Sequence, residues 1–387
     1  MRRLFLLVAA VILVDTMFYS AITPLLPTYA EDLDLSKTAA GMLSAAYPAG
    51  TLLGTIPAAW VAARVGVKPT VMLGLGLAAT AGVSFAWADS IVVLDAARFL
   101  QGVGGACAWV GGLAWLIAVA PSERRGEMIG SVLAAAIFGI LIGPVLGGLA
   151  TVTSPELVFT SVAAFGVALF AFARMMDGVP PSPAPGWGEL RATFASRPVL
   201  AGFWLVALPA LFSGVINVLV PLRLDELGAT AVFIAGVFLV SALVEGSASP
   251  SFGRLADRRG YWWPIRIGLM AAAAMAIWLP IPEVAVIVGV SVVVAELMLG
   301  FCWTPAMAML SDAVERCRVD QWFAFALVNV AWAGGQVAGG SGGGALADAT
   351  SDTLPFALAA ALLALTGAIA TVGVRGRREP SVASVSQ

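Results

Sequence analysis

Apolar residues run along this chain in long unbroken blocks. They show neither the alternation of half-buried strands nor the three-to-four spacing of soluble amphipathic helices. A helix needs about 20 mostly apolar residues to cross the hydrocarbon core of a bilayer. Twelve blocks reach that length, at Leu4–Pro27, Ala39–Ala62, Pro69–Ala88, Ile91–Ala120, Gly126–Ala150, Leu157–Met176, Val199–Leu222, Ala229–Phe252, Trp262–Leu279, Val284–Leu310, Trp322–Leu346 and Leu354–Val374. The one long polar interruption, "DGVPPSPAPGWGELRATFASRP" at 177–198, is rich in Pro and Gly and divides the blocks six and six. The pattern predicts an all-α membrane protein: one six-helix bundle at 1–176, a linker at 177–198, a second bundle at 199–374 and a short tail at 375–387. The opening "MRRLFLLVAAVILV" followed by "YSA" has the make-up of a cleaved signal. The apolar pattern continues past that point, however, and cleavage would leave the first bundle one helix short, so the segment is read as the first span.

The halves repeat. "AWVAARVG" (Ala59–Gly66) and "GRLADRRG" (Gly253–Gly260) each follow the second span of their half. "GILIGPVLGG" (Gly139–Gly148) aligns with "GQVAGGSGGG" (Gly335–Gly344), keeping four glycines in register. Tandem bundles related in this way suggest a carrier that rocks about a central site. Nearly all Lys and Arg fall on one side if both termini are cytoplasmic, the arrangement that basic loops favour.

Composition sharpens the class. The chain is 60% hydrophobic and 11% charged, against about 45–50% and about 25% in soluble domains. The net charge of −2 is scattered over loops and offers nucleic acid no basic face. There is no histidine, so proton handling near neutral pH falls to carboxylates. Cys107, Cys302 and Cys317 lie in or beside apolar blocks without metal-ligand spacing and are read as packing residues. No nucleophile–base pair, metal cluster or nucleotide loop is present, which argues against an enzyme.

Four charges lie deep in spans: Asp15, Arg98, Glu245 and Glu296. A charge at mid-bilayer costs about 2.5–3.5 kcal/mol on insertion scales and marks function by default. On a 1.5 Å rise, Asp15 sits roughly 17 Å and Arg98 roughly 20 Å from the inner plane. Two roles stay open for Arg98: pairing with Asp15, with water, or bonding backbone carbonyls through its five donors. Glu296 shares a face with Gly300 and Trp303, which suits a cation slot or a packing seam. Glu245 shares a face with Ser241 nearer the cytoplasmic end and is a candidate proton site. Tyr19 is one turn from Asp15; Gln101 and Trp109 follow Arg98; Phe325, Asn329, Trp332 and Gln336 form one stripe. Aromatic faces beside carboxylates can receive an organic cation, although such a stripe can equally pack against a neighbour.

These motifs resemble the major facilitator superfamily over essentially the whole chain. "GRLADRRG", with Gly253, Asp257, Arg258 and Gly260, matches the signature of the second cytoplasmic loop in each half; it is read as a short turn whose Asp257 and arginines brace helix ends against the other bundle, or else as plain topology anchoring. "RFLQGVGGA" (Arg98–Ala106) resembles the fourth-helix motif with its buried arginine. "GILIGPVLGG", with Gly139, Gly143, Pro144, Gly147 and Gly148, resembles the fifth-helix motif of proton-coupled exporters. "LVDTMFYSAITPLLPTY" is similar to the first helix of the vesicular amine transporters and their bacterial drug-exporter relatives, in which the residue matching Asp15 is implicated in binding cationic substrate. The resemblance implies the major facilitator fold, with spans 3, 6, 9 and 12 at the lipid-facing periphery, and a monomer. The sequence departs from the family at Ala63, where the signature aspartate belongs, at Val67, where a basic residue is usual, and at Asn329, which matches an aspartate of the vesicular carriers.

The leading expectation is a proton-driven exporter of small amphipathic, cationic or neutral compounds. It would use the proton gradient and no cofactor or metal, with small molecule, protons and lipid as its partners, in the cytoplasmic membrane. A dedicated metabolite carrier of the same fold is the alternative. A non-transporting sensor on this scaffold is a third reading, disfavoured because the tail is too short for a soluble domain.

Overall fold

A computed structural model of the chain describes residues 1–121, 124–181, 191, 193–317 and 321–375, without the side chains of 125, 321, 322 and 371–375. Residues 182–190 and 192 of the linker and 376–387 of the tail lie outside the described residues.

Twelve long helices order the described chain. They are α1 (Arg2–Asp32), α2 (Lys37–Arg64), α3 (Val67–Ala86), α4 (Ile91–Val119), α5 (Arg125–Val152), α6 (Pro155–Arg174), α7 (Arg197–Glu226), α8 (Ala231–Arg259), α9 (Trp262–Trp278), α10 (Ala285–Arg316), α11 (Gln321–Ala349) and α12 (Thr353–Arg375). α1 tightens to a 3-10 turn at Thr23–Leu25, where Pro24 removes a backbone donor. Nine of the helices are long and apolar enough to cross a membrane as far as they are described. α9 falls short at 17 residues. α2 and α11 are diluted by Gly, Ala and polar residues, because they pack against each other between the halves and not wholly against lipid.

Packing within the halves follows the repeat. α1 packs on α5, α2 on α4 and α3 on α6; the counterparts are α7 on α11, α8 on α10 and α9 on α12. The halves meet through α2 with α11 and α5 with α8. Side-chain caps start α2 (Ser36 accepts from Ala39 N–H), α6 (Ser154 from Leu157 N–H) and α8 (Thr230 from Phe233 N–H). Gly66 (φ 115°) and Gly260 (φ 78°) end α2 and α8 in backbone conformations that side chains resist, so both halves turn at the same place.

The glycine quartets show how close packing is achieved. A Cβ on Gly139, Gly143 or Gly147 would collide with α1, at Thr16 and Leu13, Ser20 and Met17, and Ala21 and Pro24 respectively. Gly335, Gly339 and Gly343 meet Ala207, Leu211 and Val215 of α7 in the same way. The fourth glycine of each quartet faces the other half: Gly148 meets Ala235 of α8, and Gly344 meets Lys37 and Gly41 of α2. Pro144 cannot donate to the carbonyl of Ile140, and the Ser20 hydroxyl donates to that carbonyl instead at 3.2 Å. Thr16 donates to the Ala136 carbonyl at 3.0 Å one turn earlier. These hydroxyl bonds and the small residues together seat α5 on α1.

One expectation is corrected. "GRLADRRG" is not a short turn: α8 continues through Gly253, Asp257, Arg258 and Arg259, and only Gly260 breaks it. Arg258 and Arg259 fall in its last turn, where the helix dipole favours cations. Asp257 is exposed and makes no ion pair among the described residues, so the bracing contact with the other bundle expected of this motif is not formed here.

Candidate transport site

Two groups of ionisable residues occupy the middle of the molecule. The first surrounds Asp15, only 6% exposed on α1. The Tyr47 hydroxyl of α2 donates to its Oδ2 at 2.8 Å, and the Trp109 indole N–H of α4 donates to the same oxygen at 3.0 Å. Gly105 leaves the space: a Cβ there would lie 2.5 Å from Asp15 Oδ1 and 2.7 Å from the Tyr47 hydroxyl. Hydrogen bonds to a carboxylate are worth about 1.5–3 kcal/mol each, enough for the pair to offset the insertion cost.

Arg98 does not take the role of direct partner. It is 1% exposed, and Nη1 donates to the Phe18 carbonyl (2.8 Å) and to Gln101 Oε1 (3.1 Å) while Nη2 donates to the Tyr19 carbonyl (3.1 Å). Of the two roles open from the sequence, its hydrogen bonds serve the backbone one. These carbonyls sit where α1 breaks, so their usual i+4 donors are displaced by the turn at Thr23–Leu25. The guanidinium also lies 5.2 Å from the Tyr47 ring centre, so Arg98 reaches Asp15 through Tyr47.

The second group lines a central cavity of about 220 Å³ between the halves. α8 contributes Glu245 and Ser241, α10 Glu296 and Trp303, and α7 Ser213 and Asn217; Tyr19, Trp332 and Gln336 complete the polar and aromatic lining. Glu296 Oε1 accepts from the Ser213 hydroxyl at 3.4 Å. Gly300, one turn along α10 from Glu296, leaves room for Glu245, whose Cγ would stand 2.7 Å from an added Cβ. The gap at Gly300 is therefore filled by the second carboxylate. Glu245 turns into the cavity and does not snorkel toward the end of its helix.

A wall of rings separates the two groups. Tyr19 packs on Tyr47 (centroids 5.2 Å apart) and edge-on against Trp332 (5.0 Å), with Tyr47 and Trp332 at 6.5 Å. Tyr19 and Trp332 line the cavity and Asp15 does not. Trp332 belongs to the opposite half from Tyr19 and Tyr47, so the wall is built by both halves. Asn329 lies outside the cavity lining, nearer the end of the molecule that carries the termini.

Above the cavity the face away from the termini is sealed by charges that the sequence left as loop residues. Lys37 Nζ bonds Asp352 (2.7 Å) and pairs with Glu226 (3.4 Å), which also pairs with Arg223 (3.2 Å). Asp348 accepts from the backbone N–H of Lys37 (3.0 Å) and Thr38 (2.8 Å). Hydrogen bonds and ion pairs join the halves at this seal and, between Asn217 and Tyr19, at the cavity.

Two pseudo-symmetric six-helix halves around a central cavity sealed at one face are the architecture of a membrane transporter, a non-enzymatic class. The sequence model of the Major Facilitator Superfamily matches residues 8–321, and the chain belongs to that family. Among its relatives are the MFS-type transporter ppzB of Metarhizium rileyi, 30% identical over 146 residues (36% of this chain, 30% of that protein). The synaptic vesicular amine transporter of Homo sapiens is 24% identical over 298 residues (74% of this chain, 57% of that protein). The chain spans less than two thirds of the length of these relatives. A bacterial homologue of the human lysosomal transporter Spinster, solved inward-facing and unoccupied, superposes with a TM-score of 0.79 over 98% of both chains at 13% identity.

Proposed function

We propose that this chain exports small amphipathic cations in exchange for protons. The observation that carries the reading is the pair Glu245 and Glu296 in an aromatic-lined cavity, with a third carboxylate, Asp15, behind a movable wall of rings. With both termini cytoplasmic, as the distribution of Lys and Arg favours, the sealed face is external and substrate enters from the cytoplasm. The cation settles against Glu245 and Glu296 with Trp303 and Trp332 beside it. The halves then rock: the Lys37 seal parts, α11 carries Trp332 away from Tyr19, and Asp15 meets the outward path. A proton arriving from outside neutralises a carboxylate, and the cation leaves. The relationship to vesicular amine transporters and the fifth-helix motif support this direction and substrate class.

The test is a pH-sensitive dye read in inverted membrane vesicles while lipophilic cations and neutral drugs are added. Cation-triggered proton release by the wild type, lost in Asp15→Asn and Glu296→Gln, is the expected result. Undiminished coupled transport by Asp15→Asn would refute the role of Asp15. Silence across the panel with folded, inserted protein transfers the reading to a dedicated metabolite carrier. A cavity of about 220 Å³ also suits that reading, because it is below the ~300–1,000 Å³ of common ligand pockets.

A further inference from the structure

A second, larger cavity of about 700 Å³ opens on the outer side of the second half. It is walled by the beginnings of α7 and α9 and the ends of α10 and α12. All four of these ends lie on the terminal face of the molecule, so the groove sits at headgroup depth. It shares no lining residue with the central cavity. The two cavities are therefore separate.

The chemistry of its lining is graded. At the rim stand Arg197 and Arg316. Arg197 is exposed and has no ion pair among the described residues. The Arg316 side chain is 73% exposed and only 4.0 Å from Asp312. Asp312 already accepts from the Tyr261 hydroxyl at 2.7 Å, so the arginines keep most of their capacity for another anion. Trp204, seven residues into α7, lies about 10 Å deeper on a 1.5 Å rise. Its indole N–H donates to Thr366 Oγ1 at 3.1 Å, which pairs the polar groups of the groove floor with each other. What remains there for a ligand is apolar: Trp204 is 42% and Ile369 64% exposed.

We propose that this groove is a binding site for an anionic glycerophospholipid of the leaflet on the terminal side, its phosphodiester at Arg197 and Arg316 and its acyl chain along Trp204 and Ile369. Cationic clefts between helices at this depth select anionic headgroups, and aromatic side chains at the water–lipid boundary accept the glycerol and upper-chain region. A free anion would use the arginines and leave the apolar floor uncovered. A lipid covers both, so a lipid is the occupant the groove fits.

The test is native mass spectrometry of the full chain released from nanodiscs of phosphatidylcholine and phosphatidylglycerol with matched chains, counting retained lipid. Wild type is expected to retain phosphatidylglycerol preferentially. Arg197→Gln and Arg316→Gln should each lower that preference about five-fold, from about 1 kcal/mol per basic residue near the surface. Both are exposed, and equal melting temperatures in pure phosphatidylcholine would confirm that folding is intact. Trp204→Ala should weaken retention of both lipids while preserving their ratio. Equal retention of the two lipids by wild type, or an unchanged preference in the double arginine variant, would overturn the proposal. So would displacement of phosphatidylglycerol by millimolar inorganic phosphate, which would assign the arginines to a free anion.

Discussion

Lys37 holds the sealed face from three directions, so its removal is a direct probe of the conformational balance. Lys37→Gln abolishes the contacts to Asp352 at 2.7 Å and Glu226 at 3.4 Å but keeps the backbone N–H bonds to Asp348. The Lys37 side chain is 29% exposed and its partners 34% and 44%. Each pair therefore belongs with partly solvated ion pairs, worth about 0.2–1 kcal/mol. Losing both should move the ratio of sealed to open protein about two- to thirty-fold toward open, at about 1.4 kcal/mol per tenfold. Thr153, after α5, and Glu283, before α10, are exposed on the sealed face of opposite halves. Spin labels at these two positions in a Cys317→Ser background report the separation by double electron–electron resonance. A longer-distance population should grow in Lys37→Gln and fade again at low salt in Lys37→Arg. An unchanged distance distribution would show that the seal rests on helix packing alone, and a shift toward shorter distances would contradict the assignment of the seal.

Tyr47→Phe removes one hydrogen bond of about 1.5–3 kcal/mol from ionised Asp15; coupled transport should fall about ten- to hundred-fold and the melting temperature should drop, as measured by vesicle flux and thermal unfolding. Gly143→Ala pushes a methyl to 2.6 Å from the Met17 carbonyl and into Ser20, disrupting the bond to Ile140. Overpacking of this kind costs about 1–3 kcal/mol, and a lowered melting temperature checks it. Gly148→Ala meets only Ala235 of the other half, at 2.9 Å, so its melting temperature should stay near wild type while the spin-label distances lengthen. Asp348 is held below the ordinary carboxylate range by hydrogen bonds from Thr38 and the Lys37 amide. A depressed carboxylate stabilises the sealed state above its ordinary value near 3.9 and withdraws that support as pH falls through the lowered one. The open population should therefore rise on acidification, and Asp348→Asn should reproduce that rise at neutral pH.

The repeat, the six-plus-six division and the glycine quartet could be read from the sequence because each is a local pattern repeated in register. That Asp15, Arg98, Glu245 and Glu296 mark the centre was also legible, since a charge in a lipid-length block needs a reason. Their partners were not. Tyr47 reaches Asp15 only through the rotation of α2 against α1, and nothing in "SAAYPAG" encodes that angle. Glu245 and Glu296 share one cavity because Gly300 makes room on α10 for Glu245 of α8; on the sequence, that glycine reads as an open slot. Lys37, Glu226, Asp348 and Asp352 look like ordinary loop charges until the halves close on each other. "GRLADRRG" reads as a turn, but the six residues between Gly253 and Gly260 are good enough helix formers for α8 to run on.

The central site has joint ownership. Asp15, Tyr19 and Tyr47 come from one half, while Trp332, Glu245 and Glu296 come from the other. Neither half alone holds both the carboxylate behind the wall and the cavity in front of it. If the halves were produced as separate polypeptides, ligand affinity would report their assembly: a mixture would bind where each piece did not.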